Sequence, residues 1–156
     1  MNATPTAECS ITLTRVFDAP LSLVWKAWTS AEHVAAWWGP REFTNPICEW
    51  ETRPGGKIRI HMMSPEGAIY PMGEEFVEVV PMQRLVFTST VDDADGSPVL
   101  RGRSTVLFAD SGGKTHLTLE SGASGFVDYA SQMLAGMEAG WSQSLEKLGE
   151  LVGGLT

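Results

Sequence analysis

In "SITLTRVF", Ser10 to Phe17, apolar Ile11 and Leu13 alternate with polar neighbours and, after a polar break, Val16 and Phe17 follow, which predicts an opening strand. The period then lengthens. In "DAPLSLVWKAWTS" the apolar residues Leu21, Val24, Trp25 and Trp28 recur at helical spacing, with Asp18 expected as N-cap and Pro20 near the first turn. Ser30 restarts a second short helix, "SAEHVAAWW", with Glu32 in its first turn. That helix ends at Gly39-Pro40, because a residue before proline is pushed out of helical geometry and glycine tolerates the dihedrals of a helix exit. Trp37 and Trp38 therefore stand side by side at a corner. Adjacent helical residues point about 100° apart, so the two indoles face different surroundings.

Strand periodicity returns at Ile47. "ICEWE" and "GKIRIHMM" flank the turn signal Arg53-Pro54-Gly55-Gly56 and predict a hairpin with Ile58, Ile60 and Met62 on one face. "AIYPMGEEFVEVV", "RLVFTSTV", "RSTVLFAD" and "KTHLTLES" continue as antiparallel strands. Between them lie Pro81-Met82-Gln83, an acidic loop from Asp92 to Pro98, and Ser111-Gly112-Gly113. From Val127 to Val152, Leu134, Met137, Trp141, Leu145, Leu148 and Val152 step by three and four, the stripe of one long amphipathic helix. The order is strand, two short helices, about six strands and a long helix, an α+β architecture with helices on one side of a single sheet. Residues 1–8 are expected as a flexible tail and 9–156 as one domain. A twisted sheet wrapped round a long helix cannot close tightly everywhere, so a cavity is expected between them.

At 156 residues the chain suits one domain with a sizeable core. No apolar run approaches the ~20 residues that span a bilayer, and "MNATPTAECS" contains no signal-peptide pattern, so a cytoplasmic protein is expected. Cys9 and Cys48 lack metal-ligand spacing and are expected as free thiols of a reducing compartment. The net charge of −8, with eleven scattered Lys and Arg residues, argues against a nucleic-acid partner.

The segments "RVFDAPLSLVWKAWTSAEHVAAWWGP", "RPGGKIRI", "VVPMQRLVFTST", "THLTLES" and "GMEAGWSQSLEKLGELV" resemble, in order and over about Ile11 to Val152, the family named for the activator of the heat-shock-protein-90 ATPase in its short bacterial form. The resemblance implies the helix-grip fold of the START-like (SRPBCC) superfamily, in which a curved sheet of about seven strands grips the long C-terminal helix and many members hold an apolar ligand between them. Its members include lipid carriers, polyketide cyclases and antibiotic-sequestering proteins. Short bacterial members generally lack the co-chaperone's separate chaperone-binding domain, so a chaperone partner is not expected here. The resemblance also sets the Trp-Trp corner beside the cavity mouth, which assigns Trp38 to the pocket and Trp37 to packing.

His33, His61 and His116 lie on different predicted elements without metal-ligand spacing, so no metal site is expected, and no cofactor is implied. No Gly-x-Ser-x-Gly elbow is present. Glu74 and Glu75 on one strand point to opposite faces, so one of them is a candidate acid in the cavity, against the alternative of solvent exposure. Arg59 and His61 share the face opposite Ile58 and Ile60, a solvated face unless the sheet's twist turns it inward. Met62, Met63, Met133 and Met137 are candidates for a pliable pocket wall, against the alternative of plain core. The leading expectation is a binding protein, monomer or homodimer, that holds an apolar or aromatic small molecule through Trp38, Ile60, Met62, Phe87, Met137 and Trp141. Two alternatives stay open: a cyclase- or hydrolase-like enzyme using Glu75 or His61 in the same pocket, and a chaperone-regulating or other protein-interaction module.

Overall fold

The computed structural model describes residues 7–92, 97–128 and 130–155. Its strands are β1 (Ala7–Phe17), β2 (Thr44–Trp50), β3 (Lys57–Met63), β4 (Ile69–Val80), β5 (Arg84–Asp92), β6 (Pro98–Ser111) and β7 (Lys114–Gly125). They form one curved antiparallel sheet in the order β1-β7-β6-β5-β4-β3-β2. Helices α1 (Leu21–Thr29) and α2 (Ala31–Trp37) follow β1, and α3 (Ala130–Ala135) and α4 (Met137–Leu155) follow β7. The predicted α+β order of one strand, two short helices and six further strands is the observed one.

The core lies where helices cover the inner face of the sheet. Val24, Ala27 and Trp28 of α1 and Val34 and Trp37 of α2 are buried, as are Leu145, Leu148 and Val152 of α4. From the sheet, Ile58 and Ile60 of β3, Phe76 of β4, Leu85 and Phe87 of β5, Val106 and Phe108 of β6 and Leu117 and Leu119 of β7 complete it. All six tryptophans join one aromatic network: Trp25 and Trp28 meet Phe108, Trp28 meets Trp37 and Trp141, and Trp38 meets Trp37, Trp50, Phe87 and Trp141.

Several boundaries differ from the sequence reading. The expected single helix over 127–152 is two: it begins at Ala130 and is interrupted at Gly136. Glycine is a poor helix former, and the break lets α3 pack on β1 and β7 while α4 crosses α1, α2 and β1. One residue of interruption barely disturbs steps of three and four, which is why the stripe reads as continuous. Asp18 does not cap α1. Pro20 holds the N-cap position, and its carbonyl accepts from the amides of Leu23 and Val24 at 3.0 and 3.2 Å. Ala7 and Glu8, expected in the tail, open β1 by pairing with Gly125 and Ser124; residues 1–6 of that tail and 93–96 of the expected acidic loop lie outside the described residues. β2 starts earlier than expected, at Thr44, and β6 and β7 run past their expected ends. Gly102, Gly122 and Gly125 interrupt the alternation there, yet their backbones stay in the ladder through the pairs Gly102↔Ala123, Arg103↔Gly122 and Leu100↔Gly125.

Cys48 and Cys9 are both free and partly buried. Burial pushes the Cys48 thiol up to about 11. At pH 8 its thiolate fraction is then about one part in a thousand, and alkylation should run on the order of a hundred-fold slower than that of an ordinary thiol near 8.5. Timed iodoacetamide labelling with peptide mapping checks this; Cys48 labelling as fast as free glutathione would contradict its buried setting.

Candidate functional site

Trp37 ends α2 and Trp38 is its C-cap, with φ −70° and ψ 139°; the chain then turns through Gly39, whose φ of +86° favours glycine. Trp37 points into the core, fully buried, and its indole N–H donates to the Ala27 carbonyl at 2.9 Å. Trp38 turns the other way, towards the space between β5 and α4. The corner is fastened to α4 by polar bonds. Ser144 Oγ donates to the Gly39 carbonyl at 3.1 Å, Lys147 Nζ donates to the carbonyls of Trp38 and Pro40 at 3.2 and 3.3 Å, and the Arg41 amide donates to Gln143 Oε1 at 2.9 Å. Arg41 also pairs with Glu150. Burial, and then the charge of Arg41, lower the Lys147 ammonium below the usual lysine range, while the hydrogen bond from Arg41 lowers the Glu150 carboxyl.

Behind this corner lies a cavity of about 310 Å³ between the sheet and the α3–α4 junction. Its presence follows from side-chain size along the inner faces of β6 and β7. Paired across the two strands are Phe108↔Leu117 and Val106↔Leu119, then Ser104↔Ser121, then Gly102↔Ala123. The large pairs lie in the filled core, where Phe108 meets Trp25 and Trp28 of α1, and the small pairs border the cavity together with Gly136. Trp38, Met62, Met72 and Phe87 form one wall, and Leu134, Met137 and Trp141 form the roof. Trp141 lies near-parallel to Trp28 at 6.4 Å and edge-on to Trp38 at 5.2 Å, which holds it in place over the cavity. Among the described lining residues none is ionisable, and the polar side chains are Ser89, Ser104, Ser121, Ser144 and the indoles. Ser104 and Ser121 bond to each other, Oγ to Oγ at 2.8 Å, and both are buried.

Of the six residues expected around a ligand, Trp38, Met62, Phe87, Met137 and Trp141 border this cavity. Ile60 is fully buried in the core and does not border it. The candidate catalytic residues are elsewhere. Glu74 and Glu75 are both exposed, the solvent alternative to a cavity acid, and the β4–β5 register shifts just beyond them, between Phe76 and Glu78. The Glu74 carboxylate lies 3.8 Å from Arg101, beside Thr88 and Thr90. Arg59 and His61 alternate with buried Ile58 and Ile60 and so take the outer face, where Arg59 pairs with Glu49. Met63 does not border the cavity, and the Met133 side chain lies outside the described residues. Sequence reasoning missed Met72 and the small residues of β6 and β7. The signal was present in "GRS" and "SGAS", glycine and serine on inner-facing positions of otherwise apolar strands. Among the described residues no group of three His, Cys, Asp or Glu side chains is placed to hold a metal ion, and no helix is long and apolar enough to cross a membrane.

The chain is similar to several solved structures. Protein CV1439 from Chromobacterium violaceum is 26% identical over 92% of this chain and 96% of that one, with a TM-score of 0.74. The AHSA1 protein SPO3351 from Silicibacter pomeroyi is 22% identical over 95% and 100%, with a TM-score of 0.80, a likeness of fold. Mll3558 from Rhizobium loti is 25% identical over 92% and 96%, with a TM-score of 0.69. Comparison with curated proteins gives no match. The family model for the Activator of Hsp90 ATPase homolog 1-like protein matches residues 18–153, nearly everything from the end of β1 to the last turn of α4. With its seven-stranded sheet gripping a C-terminal helix and a family match across most of its length, the chain belongs to the Activator of Hsp90 ATPase homolog 1-like family.

Proposed function

We propose that this protein binds an apolar or aromatic small molecule in the cavity between the sheet and α4, as a cytoplasmic binding protein rather than an enzyme. The observation that carries the reading is the cavity itself: about 310 Å³, walled by Trp38, Phe87, Trp141 and three methionines. That volume is at the lower end of small-molecule pockets, which run from about 300 to 1,000 Å³, and suits one compact ligand. Rigid indole faces offer stacking area at small entropic cost, and thioethers adapt to ligand shape. A catalytic reading draws no support from the lining, since Glu75 and His61 are outside it. A docking reading draws little from the surface. The large apolar residues exposed there are spread over β1, β4, the turn at Met82, β6 and the end of α4.

The test uses N-phenyl-1-naphthylamine, a neutral dye whose emission rises in apolar surroundings. The expected result is saturable binding of one dye per chain with energy transfer from tryptophan, and Trp38→Ala weakening it by roughly 1 kcal/mol or more, about five-fold or above. Emission that rises linearly without saturation would refute the proposal.

A further inference from the structure

Of the buried hydroxyls that border the cavity, Ser144 has backbone carbonyl acceptors, whereas the Ser104–Ser121 pair has an unbalanced hydrogen count. Ser104 on β6 and Ser121 on β7 stand opposite each other in register, 4% and 7% exposed, and both border the cavity. Two hydroxyls bring two hydrogens and four lone pairs. Their mutual bond of 2.8 Å spends one hydrogen and one lone pair. The second hydrogen has no other protein acceptor among the described residues, although its oxygen is buried. A buried hydroxyl left without an acceptor is costly, so the group is fitted to an acceptor supplied from the cavity. Next to the pair on β6, Gly102 adds no side chain to the cavity wall; a Cβ there would meet Ser89 Oγ at 3.0 Å and the Gly122 carbonyl oxygen at 3.2 Å, so the position is held small.

We infer that the cavity selects neutral, mainly aromatic molecules bearing one carbonyl or hydroxyl oxygen, which accepts the free hydrogen of the Ser104–Ser121 pair while the rings lie between Trp38, Phe87 and Trp141. This rests on the binding reading above and narrows it to a ligand class. A carboxylate is excluded by the same lining. With no ionisable side chain among the described lining residues, an anion entering the cavity loses its hydration and gains only neutral hydroxyl and indole donors, short of its desolvation cost.

Calorimetric titration with three naphthalenes of similar size tests the inference. 2-Acetylnaphthalene and 2-isopropylnaphthalene differ by a carbonyl oxygen against a methyl group, and 2-naphthoate adds a charge. The ketone should bind about 3- to 10-fold more tightly than the hydrocarbon, the range expected of one hydrogen bond, and the carboxylate should bind at least ten-fold more weakly than the ketone. In the double variant Ser104→Ala/Ser121→Ala the advantage of the ketone should be lost or reversed, since its oxygen gives up water without gaining that donor. Both partners of the pair are removed together there, so no buried hydroxyl is stranded and the fold should persist, with a thermal midpoint close to that of the parent. If the hydrocarbon binds as well as the ketone, if the preference survives in the double variant, or if the carboxylate binds best, the selectivity is wrong and the binding reading stands. If neither neutral compound binds, the binding reading itself falls and takes this inference with it.

Discussion

Trp37→Ala is expected to lower the free energy of unfolding by about 3–5 kcal/mol, against a total near 5–15 kcal/mol for a domain of this kind. The indole is fully buried, packs on Trp28 at 4.5 Å between ring centres, and satisfies the Ala27 carbonyl at the end of α1. Its loss opens a sealed void at the junction of α1 and α2 and leaves a buried carbonyl with one bond fewer. Trp38→Ala should cost less stability although its ring has four aromatic neighbours, because one side of it already faces the cavity and truncation enlarges existing space. Ligand binding should respond in the opposite order. Urea unfolding of both variants beside dye titration checks this pairing. Equal losses of stability with unchanged dye affinity would make the corner a folding device alone.

Ala123→Leu should abolish dye binding, by about thirty-fold or more, without unfolding the protein. Ala123 borders the cavity and stands opposite Gly102, so an isobutyl group has space to occupy. The added carbons are apolar and enter an apolar void, where each buried methylene contributes up to about 0.8 kcal/mol, so stability should hold or rise slightly. A stable Ala123→Leu protein with full dye affinity would show that the dye binds somewhere other than this cavity. The substitution therefore separates loss of site from loss of fold, which Trp141→Ala does not, since Trp141 both roofs the cavity and stacks on the core indole Trp28.

The layout of the fold was legible because apolar spacing survives local irregularity. Val24 and Trp28, Ile58 and Ile60, and Leu145, Leu148 and Val152 each announce the face they bury, and each is buried. Positions where glycine intervenes were harder to read. Gly136 divides the last helix and Gly102, Gly122 and Gly125 sit inside strands, yet a glycine in a sequence reads equally as a turn, a break or a close approach. Met137 and Trp141 border the cavity because the roof of a helix-on-sheet cavity must come from the stripe that also packs the core, while Trp38, Met62 and Phe87 wall it from the corner and the sheet. Ile60, two residues before Met62 on the same strand, falls within the filled part of the core and does not border the cavity. Glu74 and Glu75 are exposed, the alternative that stood beside a cavity acid: alternation points one of two neighbours inward without saying whether the cavity extends to it.

Methyl NMR of protein labelled with 13C in its methionine methyls, titrated with 2-acetylnaphthalene, reports whether a ligand occupies the cavity. Met62, Met72 and Met137 come from two strands and a helix and meet only at the cavity wall, whereas Met82 is exposed in the turn between β4 and β5. Saturable shifts are expected at Met62, Met72 and Met137, with intermolecular contacts from those methyls to the naphthalene ring, and an unmoved Met82. Shifts at Met82 with Met62, Met72 and Met137 unchanged, or no saturable shift at any of the four, would contradict binding in this cavity.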